Sequence, residues 1–160
     1  MNFRTIDIHK DRDIIIAFRK DSYVVSFGTV DGFGDADAYV KRIGERVSRF
    51  PDGLVLVEED EKMIGQMELQ ITTYEEQEIG YVNLFYLIPE YRSKGLGQYL
   101  MEYAEQFFRK YKVSEYHLRV SPTNERAIRF YMKSGMEKLK EEQSKFLVWR
   151  MRKKLSSKVR

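Results

Sequence analysis

The 160-residue chain contains no cysteine, and its two histidines, His9 and His117, lie far apart. No disulfide framework, thiolate metal site or thiol nucleophile can be built from it, and there is no histidine ligand spacing, so no metal is expected. No apolar run approaches the roughly 18 residues that a membrane span requires. The N-terminus, Met1-Asn2-Phe3-Arg4-Thr5-Ile6-Asp7-Ile8, alternates and carries charge throughout, which suits neither a secretory signal nor a presequence. These absences predict a cytoplasmic protein with no membrane partner. Proline is scarce, three in all, so Pro51 and Pro89 stand out as stops between elements.

What is present is ordinary globular material: 42% hydrophobic and 33% charged residues, enough for one domain that needs no covalent staple. The formal charge is +3, but Arg150, Arg152, Lys153, Lys154, Lys158 and Arg160 put six positive charges into the last eleven residues, leaving the first 149 at −3. We assign residues 1–152 to a single domain and 153–160 to a basic C-terminal tail. Basic and aromatic residues do not interleave on one face, so no nucleic-acid partner is expected.

Periodicity predicts the elements. Asn2 to Asp7 alternates as an edge strand, and Asp11 to Ser26 is helical with Asp11 or Asp13 as N-cap. After a glycine-rich loop, Asp35 caps a helix carrying Ala38, Tyr39, Val40, Ile43 and Val47. Leu54–Val57 and Met63–Thr72 read as a hairpin, and Ile79–Ile88, rich in β-branched and aromatic residues, as the central strand. Gly95 to Tyr111 repeats Leu96, Tyr99, Leu100, Tyr103, Ala104, Phe107 and Phe108 at helical spacing. A short strand at Tyr116–Val120, a helix over Asn124–Ser134 closed by Gly135, and two strands at Met136–Glu141 and Lys145–Met151 complete an α+β, mixed α/β pattern with helices on both faces of the sheet.

The segment Arg92-Ser93-Lys94-Gly95-Leu96-Gly97 stands where the central strand hands over to the long helix. Glycines there let the backbone approach a ligand closely, and the N–H groups of Lys94, Gly95, Leu96, Gly97 and Gln98 at the positive end of a helix can cradle a pyrophosphate. Arg92 adds a full positive charge. Taken alone, the segment is equally a tight loop that needs positive φ. A dinucleotide-binding fold wants glycine where Leu100 stands, and the Gly-Lys-Ser/Thr of a P-loop is missing.

The stretch Leu87-Ile88-Pro89-Glu90-Tyr91-Arg92-Ser93-Lys94-Gly95-Leu96-Gly97 resembles the acetyl-CoA motif of the GNAT superfamily of N-acetyltransferases. Downstream, Asn124-Glu125-Arg126-Ala127-Ile128-Arg129-Phe130-Tyr131-Met132-Lys133-Ser134-Gly135-Met136 is similar to that family's second motif. Ser93 stands where many members carry glycine, and Met136 where most carry phenylalanine. The resemblance implies a central, mostly antiparallel sheet of six to seven strands and an acetyl-CoA cosubstrate. Phe85, Tyr86 and Leu87 would pair with the pantetheine arm, Arg92 to Gln98 would hold the pyrophosphate, and Asn124, also a helix N-cap, would bond the cofactor arm. Tyr131 matches the proton donor to the leaving thiolate, a direction that suits a phenol of pKa about 10 facing a thiol of about 8.5.

The resemblance thus implies direct transfer of an acetyl group to a primary amine of a small molecule or peptide within a ternary complex, the alternative being a non-catalytic acyl-CoA-binding regulator. The base stays open between Glu78, Glu68 and a water relay. Tyr23, Phe27 and Phe33 with Asp31, Asp35 and Asp37 suggest a cationic amine, although those aspartates equally serve turns and caps. An open sheet edge at the C-terminal strands leaves a homodimer open.

Overall fold

The computed structural model of the chain describes residues 1–155. Seven strands form a single sheet: β1 (Asn2–Thr5), β2 (Leu54–Glu59), β3 (Lys62–Tyr74), β4 (Gln77–Leu87), β5 (Glu115–Val120), β6 (Glu137–Gln143) and β7 (Leu147–Lys154), in the order β1-β2-β3-β4-β5-β7-β6. All neighbours are antiparallel except β4 and β5. Four helices cover it: α1 (Arg12–Phe27), α2 (Ala36–Arg49), α3 (Gly97–Lys110) and α4 (Glu125–Lys133). The expected α+β architecture and mostly antiparallel sheet are those observed.

α1 and α2 lie on one face, where Phe18 of α1 packs on Tyr86 with ring centroids 4.9 Å apart and Tyr39 of α2 reaches Glu68. On the opposite face α3 seats Phe108 on Tyr116, centroids 4.8 Å apart, over Gly80. A Cβ at Gly80 would come within 2.4 Å of the Phe108 ring, so this glycine sets how closely α3 approaches the sheet. Leu100, Met101, Ala104, Phe107 and Phe108 are buried, and full burial of a large apolar side chain contributes about 1.5–3 kcal/mol.

Several local expectations need correction. Tyr99 is not on the buried stripe; it is 55% exposed, and Met101 and Glu105 are buried instead. Asp11 holds the N-cap position of α1 without capping it. Its carboxylate is taken by the Arg4 guanidinium (3.0 and 3.1 Å) and the Asp7 N–H. Asp35 does cap α2, accepting from the Ala38 N–H at 2.8 Å. Lys153 and Lys154, read as tail, belong to β7, and the Lys153 ammonium bonds Glu105 at 2.7 Å. The tail positions Lys158 and Arg160 lie outside the described residues.

Two irregularities prepare the site. β4 and β5 pair only at Gly80–Tyr116, Tyr81–His117 and Val82–Leu118, then part. Just there the β3–β4 register skips Asn83, because Leu69 faces Val82 while Glu68 faces Leu84. The extra residue is a β-bulge, which bends and twists its strand.

Candidate active site

Past Val82 the backbone of β4 faces a gap where β5 would continue. The Ile88 N–H bonds the Ile64 carbonyl of β3, so by strand alternation the N–H groups of Phe85 and Leu87 point the other way, into the gap. Two cavities open along it. One, of about 710 Å³, lies between the Ser93–Gly97 turn and α4; the other, of about 370 Å³, lies under α1 and the β6–β7 turn. Phe85, Tyr86, Leu87, Arg92, Asn124 and Tyr131 line both. The two cavities are therefore neighbours, with Tyr131 bordering each.

The turn has the form its sequence implied. Ser93 and Gly95 both have positive φ, 60° and 80°, which explains why a glycine suits position 93. Among the described residues no hydrogen bond engages the N–H groups of Ser93 to Gln98. A Cβ at Gly95 would meet nothing within 4 Å, so the space above these donors is open. Free N–H groups at the head of the 14-residue α3 make an anion cradle. Ser93, Gly95 and Gly97 line the larger cavity, whereas the side chains of Lys94, Leu96 and Gln98 do not.

Arg92 departs from the expectation. Its Nε donates to the Leu87 carbonyl at 2.7 Å and its Nη2 to Asp21 of α1 at 3.1 Å, with the guanidinium over the Tyr86 ring. The charge therefore faces the carboxylate of α1 and pins the end of β4 to that helix. Asp21 also accepts from the Tyr86 hydroxyl at 2.5 Å. Burial, and then this bond, push the Tyr86 phenol up and keep it neutral.

Asn124 caps α4 through the Ala127 N–H at 3.3 Å and borders both cavities. Seven residues on, about two turns later, stands Tyr131, its ring 6.2 Å from Phe85. No protein group among the described residues is hydrogen-bonded to its hydroxyl. Burial raises its pKa, so the phenol is a proton donor at neutral pH, with its O–H free on a residue that borders both cavities.

The two candidate bases separate. Glu78 is exposed at the start of β4, nine residues from Leu87, which is roughly 30 Å at ~3.3 Å per residue. Distance removes it. Glu68 is 1% exposed and bonded to the Tyr39 hydroxyl (2.6 Å) and Gln66 amide (3.0 Å), and it borders neither cavity. The acidic residues expected around the acceptor are also elsewhere: Asp35 caps a helix, Asp37 pairs with Arg12, and Asp31 is exposed. Of the aromatic group, Tyr23 and Phe27 do border the smaller cavity.

Sequence reasoning missed Arg19, Asp21, Asn83, Arg119 and Phe146. Arg19 donates to the Asn83 carbonyl at 3.2 Å, and Phe146 stacks on Phe27 with centroids 4.3 Å apart. No motif marks them; they come from α1, β4, β5 and a turn. Among the described residues no cluster of three or more acidic or histidine side chains forms a metal site, and no helix is long and apolar enough to cross a membrane.

Comparison with known proteins supplies the family. Residues 15–136, well over half of the chain, match the model of the Acetyltransferase (GNAT) family. An uncharacterized N-acetyltransferase of Archaeoglobus fulgidus is 32% identical over 97 residues, 58% of this chain and 65% of that one, so the chain spans just under two thirds of the length of this curated relative. Two solved structures share the fold. The PaiA N-acetyltransferase of Thermoplasma acidophilum, in complex with coenzyme A, superposes with a TM-score of 0.73 at 23% identity, over 96% of this chain and 98% of that one. Naa20 of Chaetomium thermophilum, in complex with a bisubstrate analogue, gives 0.75 at 16% identity, over 97% and 87%. The anion cradle, the parted strands and the tyrosine between them lie within the matched span, and the chain belongs to the GNAT acetyltransferase family.

Proposed function

We propose that the chain is an acetyl-CoA-dependent N-acetyltransferase that moves an acetyl group directly to a primary amine while both substrates are bound. The observation that carries this reading is the pair of neighbouring cavities: one headed by free backbone N–H groups and a second beside it, with Tyr131 and the open edge of β4 bordering both. Two structural neighbours, one in complex with coenzyme A and one with a bisubstrate analogue, agree with it.

The residues present fit the cofactor. Ser93 to Gln98 would take the pyrophosphate on their N–H groups, and Phe85 to Leu87 would pair with the pantetheine arm like an added strand, beside Asn124. Acetyl-CoA supplies an activated thioester. The protein holds it against the amine, and such positioning is the larger part of the rate. The Leu87 N–H, directed into the gap, would donate to the thioester carbonyl as negative charge gathers there. The Tyr131 hydroxyl would protonate the departing sulfur. The amine's own proton leaves through water, since neither Glu68 nor Glu78 borders either cavity.

Mixing the purified chain with acetyl-CoA and a panel of amines tests the proposal: thiol release that depends on the amine is expected. Tight acetyl-CoA binding without release from any amine would instead return the non-catalytic regulator.

A further inference from the structure

We infer that the acceptor is an amine that also carries a carboxylate, an inference that rests on the acetyltransferase reading above. The smaller cavity is bordered by four basic residues, Arg19, Arg92, Arg119 and Lys145, and by no acidic one. This reverses the cationic-amine expectation drawn from the aspartates near its rim. Arg92 is matched by Asp21. Arg119 shares Glu142 with Arg150 and Lys140, at 2.7, 2.8 and 3.7 Å, so one negative charge serves three positive ones. Arg19 and Lys145 meet no carboxylate within 4.0 Å among the described residues. Among the described residues Arg19 donates to the Asn83 carbonyl at 3.2 Å, and the buried Glu68, which borders neither cavity, is the carboxylate that most favours its charge.

The Arg19 guanidinium, its carbon over the Tyr23 ring at 5.0 Å from the centroid, therefore keeps donors to spare. Arginine forks recognise carboxylates in two-point contacts. The same excess of positive charge disfavours a polyamine, for which the cavity offers no counter-ion. It also favours the neutral, nucleophilic form of an amine over its ammonium, which lightens the task of a site with no carboxylate base. Tyr23 and Phe146 add apolar walls that suit a substrate with an organic side chain.

Two arrangements share this chemistry, a free amino acid with its α-carboxylate and a peptide N-terminus followed by an acidic residue, and matched pairs tell them apart. With the full chain and acetyl-CoA, kcat/KM is measured for phenylalanine against phenylalaninamide, for alanyl-aspartate α-amide, whose β-carboxylate is free, against alanyl-asparagine amide, and for spermidine. The carboxylate should exceed its amide by at least about tenfold in one of the two pairs, with spermidine below both. Lys145→Glu, at an exposed turn position and safe for folding, should cut that ratio severalfold, and Arg19→Gln should bring it near one. If amides or spermidine are acetylated as well as the carboxylates, this inference falls while the enzyme class stands. If no amine releases thiol although acetyl-CoA binds, the acetyltransferase reading falls and takes this one with it.

Discussion

The two cavities that Tyr131 borders are built in different ways. The larger is headed by main-chain donors from one short segment, Ser93 to Gln98, placed by a proline, two positive-φ residues and a helix N-terminus. The smaller is bordered by side chains from α1, β4, β5, α4 and the β6–β7 turn, parts of the chain that only the folded sheet brings together. A site made of backbone is written in consecutive residues and tolerates exchange of side chains. A site made of side chains is scattered, and single substitutions can redirect its choice of ligand.

The sharpest test at their shared border is Tyr131→Phe, which removes the hydroxyl and leaves the ring on Phe85. We expect kcat to fall by about 10²–10⁴ with the acetyl-CoA KM nearly unchanged, read by steady-state thiol release; equal losses in both would make the residue part of binding alone. Next, Gly95→Val strikes the backbone site only. A β-branched residue at a φ of +80° is strained by about 1–2 kcal/mol, and its side chain enters the space above the free N–H groups. Acetyl-CoA affinity by calorimetry should drop about tenfold or more, while the KM of the preferred amine stays put.

A pH profile separates the two sides further. Burial raises the Tyr131 pKa above its ordinary 10, so the donor stays protonated through pH 10 and kcat should show no alkaline fall below that pH. A falling limb between pH 8 and 9 that vanishes in Tyr131→Phe would keep the donor role and contradict the raised pKa, whereas one that persists in Tyr131→Phe belongs to another group. The smallest effect concerns stability behind the acceptor wall. His117 is fully buried; Arg150 donates to its Nδ1 at 2.8 Å, which makes Nε2–H the donor to Glu115 at 2.6 Å and the ring neutral. Burial lowers its pKa below 6.5. The unfolded chain then binds the extra proton first, so stability is whole above pH ~6.5 and declines as pH falls toward the folded value. The melting temperature should drop over that range, and His117→Gln should flatten the slope.

How much of this could be read from the chain follows the same division. The turn at Arg92–Gly97 and the Asn124–Tyr131 helix are local patterns, and the structure gives them the elements expected. The hairpin turns at Asp60-Glu61 and Glu75-Glu76 were legible as polar breaks, although all four residues have positive φ without a glycine among them. Asp21 was invisible, because its partners Tyr86 and Arg92 lie 65 and 71 residues away. The aspartates near Phe33 misled because acidic residues after glycines serve caps and turns more readily than ligands. Arg19 gave no signal, since a helix arginine is ordinarily solvent-facing.

The bulge at Asn83 carries a consequence for how β4 is spelled. Along this strand every second residue from Gly80 to Tyr86 is buried, an unbroken alternation. Yet Gly80 lies against Phe108 of α3, whereas Tyr86 lies against Phe18 of α1 on the other side of the sheet. One surplus residue inverts the parity of the strand halfway along, so that Tyr81 borders the smaller cavity and Phe85 lies against Tyr131 of α4. A single strand thus presents side chains to both cavities. Deleting residue 83 would set Leu84 directly after Val82, as Glu68 and Leu69 already stand on β3, so the functional end would keep its faces while the buried alternation broke.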